Sequence, residues 1–369
     1  MLSFTPSLHG LRGIAALAVL FFHWSEYFPA LPEALRHVPF AGTTWNLAMQ
    51  FSFGWLGVHL FFVLSGYLLA SQLAHQPLDR PSVLQFWKRR FLRIFPGVWF
   101  QVAILVALSS LGIALVAPFT GTQVVMNLLL WINMPPGMHP PLNGVYWTLP
   151  IEFSFYLTLP FIVLLQRRLG WRTTFAVAVA IALAWRVGVM AAYRGDHMVS
   201  RLPVLDALPG SLVSFMAGVA ISELAWAPTA AGRRMALAAV AVALLALQYW
   251  LLANHETYWT GHWMLAVWNP LVALVIGLAV YLLLRPPPEL AFLGRHEFVW
   301  LGEVSYGIYL WHLPAIFLVR LVGGESLKTP GGSAAALAAT IGVTLVMAAV
   351  SFYLVERPMI RLGKRHRRD

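Results

Sequence analysis

Apolar stretches separated by short polar segments recur along the whole chain. Most are about 20 residues long, the length an α-helix needs to cross roughly 30 Å of hydrocarbon. The pattern predicts an all-α integral membrane protein with about ten transmembrane helices. They lie near residues 11–28, 51–72, 96–116, 146–166, 173–192, 207–226, 235–253, 263–284, 304–322 and 334–355. No repeat of fixed period and no long linker interrupts the pattern, so residues 1–369 are expected to form a single membrane domain.

One further apolar segment, residues 123–132, is too short to cross a membrane comfortably and is followed by a proline-rich loop. If it crossed the membrane, the basic loops that follow would lie outside the cell, against the positive-inside rule. We therefore expect a re-entrant or interfacial segment near 123–134.

The composition supports the bilayer as the solvent of this chain. Hydrophobic residues make up 59% of the 369 positions and charged residues 11%, whereas about a quarter of the residues in soluble proteins are charged. Mean hydropathy is +0.72. The sequence contains no cysteine, which excludes disulfides, thiolate–metal sites and a cysteine thioester as an acyl carrier.

The net charge of +11 would suggest nucleic-acid binding if its position were ignored. When the N-terminus is placed inside the cell, most of the 25 Lys and Arg residues fall on the inner side, including a basic tail at 357–369. The positive-inside rule explains this distribution. It predicts that both termini are cytoplasmic and that nucleic acid is not a partner.

The first predicted span carries Arg12 and His23, 11 residues apart. At 100° per residue both lie on one helical face, about 16 Å apart along the axis. Arg12 is explained either as a snorkelling helix-end anchor or as a functional cation. His23 is either a satisfied buried histidine or a group that exchanges a proton near neutral pH.

A basic cluster, Lys88 to Arg93, precedes the third predicted span. Arg90 and Arg93 are i,i+3 neighbours and share a helical face. Such a cluster would hold the phosphates of a cytoplasmic ligand. Topology signalling and contact with lipid headgroups explain the same charges.

Two later spans carry polar residues at helical spacing. Glu152 and Tyr156 are i,i+4 neighbours, and an intramembrane carboxylate needs a cation or a role in proton transfer. Ser305, Tyr309 and His312 form one stripe, which faces either a polar path or a helix–helix contact. Near the end of the last span, Glu356 is interpreted as part of a helix stop with an interfacial ion pair.

Together these segments resemble the acyltransferase-3 family of membrane O-acyltransferases, in order and over roughly residues 8–360. The residues that carry the resemblance are Arg12 and His23 (Arg-x10-His), Phe61 to Gly66, Arg90 and Arg93, Trp147, Glu152, Phe155 and Tyr156, and Ser305, Tyr306, Tyr309 and His312. Tyr67 and Thr148 stand where the family often has Phe and Ser.

The resemblance implies transfer of an acetyl or other short acyl group across the membrane. Acyl-CoA would be the cytoplasmic donor substrate, with no permanently bound cofactor and no metal. The acceptor would be a hydroxyl of an extracytoplasmic glycan or lipid-linked saccharide. Together with the topology it implies a multi-pass protein of the bacterial cytoplasmic membrane, with membrane lipids and polysaccharide-assembly proteins as partners.

The resemblance also implies roles for the site residues. His23 is expected to be the general base for the acceptor hydroxyl or a transient acyl carrier, and Glu152 to orient it. Arg12, Arg90 and Arg93 are candidate contacts of the CoA phosphates. The path for the substrates is expected to include Trp147, Tyr156, Ser305, Tyr306, Tyr309 and His312.

Some relatives carry an extracytoplasmic hydrolase-like domain after the last span. No such domain follows in this sequence, so we expect transfer to finish in the membrane domain or through a separate protein.

Two other classes of protein fit the same polar residues. A transporter or flippase of a lipid-linked sugar or anion would also use intramembrane Arg, His and Glu. A scaffold within a polysaccharide-export complex would use them structurally. A His-x4-Asp acyltransferase motif and the His-Glu-x-x-His pattern of zinc enzymes are both missing from the sequence.

Overall fold

Helices make up 78% of the residues that the structure describes. A computed structural model describes residues 5–40, 42–135 and 137–364. Its α-helices are α1 (Pro6–Tyr27), α2 (Ala30–Ala34), α3 (Met49–Ser52), α4 (Leu56–Leu73), α5 (Arg80–Ser110), α6 (Gly121–Leu128), α7 (Thr148–Leu169), α8 (Trp171–Ala192), α9 (Leu202–Leu205), α10 (Leu208–Ile221), α11 (Ala230–Ala253), α12 (His255–Tyr258), α13 (Met264–Leu283), α14 (His296–Glu303), α15 (Ser305–Gly323), α16 (Pro330–Ser351) and α17 (Arg357–Lys364). Short 3-10 helices occur at Gly144–Trp147, Met198–Arg201, Pro288–Gly294 and Gly324–Lys328, and a π-helix at Phe352–Glu356. The last five residues of the predicted basic tail lie outside the described part.

Within the described residues, eight helical segments are long and apolar enough to span a membrane. A ninth candidate is the pair Met198–Leu205 and Leu208–Ile221, bent by 60°. The prediction of a helical membrane protein is thereby confirmed. The first predicted span is helical, as α1, but it is not among these candidates because Arg12, His23 and Glu26 lower its hydropathy. The cytoplasmic position of the termini stays a prediction.

The helix bounds differ from the sequence pattern in the third span. Helix α5 begins at Arg80, about four turns before the apolar run, because Lys and Arg are good helix formers and extend the helix beyond its apolar part. In the segment predicted to be re-entrant or interfacial, α6 has eight residues and is too short to cross a membrane.

A small β-hairpin is an element that the all-α prediction missed. Strand β1 (Val38–Phe40) pairs antiparallel with β2 (Thr43–Trp45), with Val38 opposite Trp45. Three-residue strands carry too short a pattern to be recognised in the sequence.

The chain forms two compact units, each built from separate stretches of sequence. Unit 1 comprises Met1–Arg12, His59–Trp87 and Ile151–Val299, and unit 2 comprises Gly13–Val58, Lys88–Pro150 and Trp300–Asp369. Several boundaries between the units fall inside helices, including α1, α5 and α7. The expectation of a single membrane domain stays a prediction.

In unit 1, α4 and α10 cross where two glycines meet the opposite backbone. A Cβ added at Gly66 would overlap the Phe215 carbonyl, and one added at Gly218 would overlap the Val63 carbonyl. Close approach of the two helices therefore requires glycine at both positions, as expected for small residues at membrane helix interfaces. Beside this crossing, the Phe215 ring stacks between Phe62 and Phe155 at centroid distances of 4.4 and 4.1 Å.

A buried ion pair lies at the bend between α9 and α10, also in unit 1. The side chain of Arg186, fully buried on α8, donates to Asp206 Oδ1 at 2.7 Å and to the Leu265 carbonyl at 3.0 Å. Asn269 donates to the same carboxylate oxygen at 3.3 Å. Since an ion in a low-dielectric region needs a partner, this pair accounts for the arginine that the sequence places inside a span.

In unit 2, α15 packs along α16, and Gly307 faces the backbone of Ala348 at their contact. Hydrogen bonds connect the end of α1 to the start of α16. Trp24 Nε1 donates to the Ser333 carbonyl at 3.0 Å, and the Ser333 hydroxyl donates to the Phe28 carbonyl at 2.7 Å. These contacts fix the part of α1 that carries His23.

Candidate active site

Two histidines meet inside unit 2. His23 Nδ1 on α1 lies 3.1 Å from His312 Nε2 on α15, and the ring centroids are 5.0 Å apart. His312 is completely buried, and His23 is half-buried. The sequence predicted both as site residues but in separate roles, and it did not predict their direct contact.

The backbone carbonyls beside these rings determine their tautomers. His312 Nδ1 lies 3.1 Å from the Ile308 carbonyl, and His23 Nδ1 lies 3.0 Å from the Val19 carbonyl. A carbonyl oxygen only accepts, so each Nδ1 carries a hydrogen. His312 Nε2 is then an acceptor for the hydrogen of His23 Nδ1, which it shares with Val19. His23 Nε2 consequently keeps its lone pair.

Tyr309 is held by the turn that precedes α7. Its hydroxyl donates to the Val145 carbonyl at 2.8 Å and lies 2.8 Å from Thr148 Oγ1, in an arrangement in which Thr148 donates to Tyr309. Its ring centroid is 5.9 Å from that of His312. Trp147 ends this same turn and is half-buried. The turn thus supports one side of the histidine pair.

Pro314 leaves a carbonyl of α15 without its normal donor, because proline has no N–H to give to the residue four positions earlier, Leu310. Two buried amides replace that donor: Gln101 Nε2 lies 2.6 Å and Asn143 Nδ2 lies 2.8 Å from the Leu310 oxygen. Tyr146 in turn donates to Gln101 Oε1 at 2.6 Å. We call Gln101, Asn143 and Tyr146 the amide clamp.

The amide clamp was missed in the sequence analysis. Its signal was the proline in the middle of an apolar span, only two residues after His312. A proline there requires a donor for the freed carbonyl, but the identity of the donor depends on residues more than 160 positions away.

Arg93 has an intramolecular carboxylate partner in unit 2. Its Nη1 lies 3.7 Å from Glu356 Oε2, and its guanidinium lies over the Tyr306 ring, 5.5 Å from the centroid. The Glu356 side chain is fully buried and accepts from Ser351 at 3.1 Å. Glu356 ends a π-helix that continues into α17, so its interpretation as a helix stop was wrong.

Three further predicted site residues of unit 2, Ser305, Tyr306 and Arg90, are close in sequence to the residues described above. Tyr306 donates to the Ile94 carbonyl at 2.7 Å, and Ser305 donates to the Gly302 carbonyl at 2.8 Å. Arg90 is half-buried on the same helix as Arg93. Ser305 and Tyr306 therefore hold backbone in place, whatever their part in a substrate path.

In unit 1, Glu152 accepts two hydroxyl hydrogen bonds. Ser65 on α4 donates to Glu152 Oε1 at 2.9 Å, and Tyr156, one turn along α7, donates to the same oxygen. Pro160 frees the Tyr156 carbonyl, which accepts from Trp87 Nε1 at 3.1 Å. This half-buried carboxylate is thus held by Ser65, which lies in the second predicted span.

The predicted site residues are divided between the two units. Arg12, Glu152 and Tyr156 belong to unit 1, and the others belong to unit 2. The expected action of Glu152 on His23 and the grouping of Arg12 with Arg90 and Arg93 therefore stay predictions.

Comparison with known proteins identifies the family. The acyltransferase-3 profile, described as an acyltransferase domain, matches residues 5–354. That range contains every residue discussed above from Arg12 to His312. No solved structure matches the chain.

Characterised relatives match the chain over almost its full length. It is 28% identical to acyltransferase MdmB of Streptomyces mycarofaciens, over 98% of this chain and 93% of the relative. It is 25% identical to the peptidoglycan O-acetyltransferase OatA of Listeria monocytogenes, over 98% of this chain but 56% of OatA. The chain thus spans little more than half the length of OatA.

Both kinds of relative are acyltransferases, which favours acyl transfer over transport without chemistry. The family profile covers far more than half of the chain, and the helices long enough to span a membrane agree with a multi-pass protein. The chain therefore belongs to the acyltransferase-3 family of membrane acyltransferases.

Proposed function

We propose that this protein transfers an acetyl or other short acyl group from cytoplasmic acyl-CoA to a hydroxyl of an extracytoplasmic glycan. Exopolysaccharide and lipopolysaccharide are proposed acceptors, and the bacterial cytoplasmic membrane is the proposed location. The observation that carries the proposal is the His23–His312 pair, whose hydrogen bonds leave His23 Nε2 as a base.

The proposed reaction begins when His23 Nε2 accepts the proton of the acceptor hydroxyl. The hydroxyl oxygen then attacks the thioester carbonyl carbon, a C–O bond forms, and the C–S bond breaks. The imidazolium returns its proton to the departing CoA thiolate, which leaves as the free thiol. Atoms and charges balance without a metal or a redox partner.

The surroundings of His23 suit this cycle. When Nε2 takes a proton, the Nδ1 hydrogen of the cation faces two acceptors, the Val19 carbonyl and His312 Nε2. His312 then orients the base as a carboxylate does in a serine hydrolase. A neutral imidazole in this role stabilises the cation less strongly than a carboxylate. The proposed role of Glu152 is to add to this stabilisation.

The donor is proposed to bind through Arg12, Arg90 and Arg93. Guanidinium groups form bidentate contacts with phosphates, and CoA carries several phosphate charges. Arg93 already contacts Glu356 at 3.7 Å, so a phosphate at this position would share the cation with a buried carboxylate.

The relatives indicate which acceptor to test first. OatA is named as a peptidoglycan O-acetyltransferase, so peptidoglycan joins exopolysaccharide and lipopolysaccharide as a candidate. Acetyl is the first acyl group to test for the same reason.

The test is transfer of radiolabelled acetyl from acetyl-CoA in membranes that contain the wild-type protein or His23→Ala. We expect label in a glycan fraction with wild type and none with His23→Ala at equal protein level. His75→Ala, in an exposed loop, is the matched control and is expected to retain activity. Substantial transfer by His23→Ala would refute the role of His23. No transfer by either protein, with several donors and acceptors, would favour the transporter alternative.

A further inference from the structure

A cavity of about 220 Å³ lies in unit 1 where the segment after α10 passes the start of α11 and the end of α13. One water molecule needs only about 10–15 Å³, so the cavity is large enough for a bigger ligand. The cavity is lined by two arginines, two aromatic rings and several apolar side chains. Its lining residues include Leu224, Trp226, Arg233, Tyr281, Leu282 and Arg285.

Arg233 and Arg285 are the charged residues among those that line this cavity. Arg233 is half-buried, and its Nη1 donates to the Arg285 carbonyl at 2.6 Å, while the Arg285 side chain is exposed. Within the described residues, neither of them forms an ion pair with a carboxylate. Two like charges that share one cavity are stabilised by an anion between them.

The nearby carboxylates are engaged elsewhere. Glu289 pairs with Arg234 at 2.7 Å, and Glu223 accepts from Gln166 at 2.8 Å. Gln166 is neutral and leaves Glu223 charged, but neither carboxylate is among the residues that line the cavity. Its charged lining residues are the two arginines, so its ligand is expected to be anionic.

The aromatic residues indicate the level of the membrane surface. The Trp226 and Tyr281 rings are nearly parallel, at 10°, with centroids 6.3 Å apart, and the Tyr281 hydroxyl donates to the Trp226 carbonyl. Tyr281 is in the last turn of α13, a membrane-span candidate. Trp and Tyr at the ends of spans lie at the level of the lipid headgroups.

We infer that this cavity binds the phosphate of an anionic phospholipid headgroup between Arg233 and Arg285. The exposed apolar side chain of Leu224 would contact the first acyl carbons, which a soluble phosphate compound lacks. The inference is independent of the acyl-transfer reaction, because none of the cavity residues belongs to the proposed active site.

The experiment is native mass spectrometry of the purified full-length protein, titrated with phosphatidylglycerol and, separately, with phosphatidylcholine. Arg285→Gln is the main variant, since its side chain is exposed and its backbone carbonyl remains available to Arg233. Arg234→Gln is the matched control, because it removes the same charge one residue from Arg233 but outside the cavity lining.

We expect Arg285→Gln to weaken phosphatidylglycerol binding by about tenfold, the effect of one lost charge-assisted hydrogen bond. Phosphatidylcholine binding and the Arg234→Gln control should not change. An equal loss in both variants would overturn the inference by showing that only overall charge matters. Displacement of phosphatidylglycerol by added CoA, with CoA binding weakened in Arg285→Gln, would also overturn it and assign the cavity to a soluble phosphate ligand.

Discussion

His312 contacts His23 through the nitrogen that is left without a hydrogen when its own Nδ1 binds the Ile308 carbonyl. This arrangement makes the reactivity of His23 depend on a neighbour 289 positions away in the sequence.

Replacing His312 with Ala should lower kcat by about 10²-fold while KM for acyl-CoA stays near the wild-type value. The reason is that His23 loses the acceptor that fixes its tautomer, whereas the proposed contacts of the donor phosphates, Arg12, Arg90 and Arg93, remain. Steady-state kinetics in detergent would measure both constants, with His75→Ala as control. A raised KM with normal kcat would assign His312 to substrate binding.

The amide clamp should affect activity through Leu310. Asn143→Leu removes one donor to the Leu310 carbonyl, and kcat should fall several-fold because α15 shifts beside His312. Pro314→Ala restores a backbone N–H for the same carbonyl. The double variant Asn143→Leu/Pro314→Ala should therefore be more active than Asn143→Leu alone. If Pro314→Ala brings no recovery, the clamp acts by some route other than this carbonyl.

Variants of Arg93 and Glu356 distinguish an effect on donor binding from an effect on packing. Arg93→Gln should raise KM for acyl-CoA about tenfold through the loss of a phosphate contact. Glu356→Gln breaks the same ion pair but leaves the cation, so it should lower thermal stability without raising KM. An equal rise in KM for the two variants would mean that Arg93 acts on the fold alone.

The Arg186–Asp206 pair should dominate the stability of its part of unit 1. Arg186→Leu or Asp206→Leu alone leaves an unpaired buried charge, a loss of about 3–5 kcal/mol. The double variant should lose less than the sum of the two. Thermal unfolding in detergent would show this as a partial recovery of Tm, with the exposed pair Arg201–Asp196 as a control of small effect. Additive losses would indicate that the two residues are not coupled.

The helices were predictable because apolar length alone identifies a membrane span. Helix α1 was predicted as a span from its apolar centre. Its mean hydropathy is too low to identify it as a span, because it contains Arg12 and His23. The hairpin Val38–Trp45 was not predictable, since three-residue strands have almost no pattern.

The sequence was sufficient to select the residues of the site, but not to predict which of them are in contact. Spacing selected His23 and His312 separately, yet their meeting depends on the packing of α1 against distant helices. The residues without an expected role, Gln101 and Asn143, lacked any motif, because their function is to satisfy a carbonyl rather than to react.

The bend at Asp206 has a consequence for how the protein is made. Arg186 lies twenty residues before Asp206, so its helix enters the translocon before the counter-charge does. An arginine at the centre of an inserting helix costs about 2.5–3.5 kcal/mol. We therefore expect α8, which carries Arg186, to stay in contact with the translocon until α9 and α10 have been synthesised. These segments would then enter the lipid together rather than one after the other.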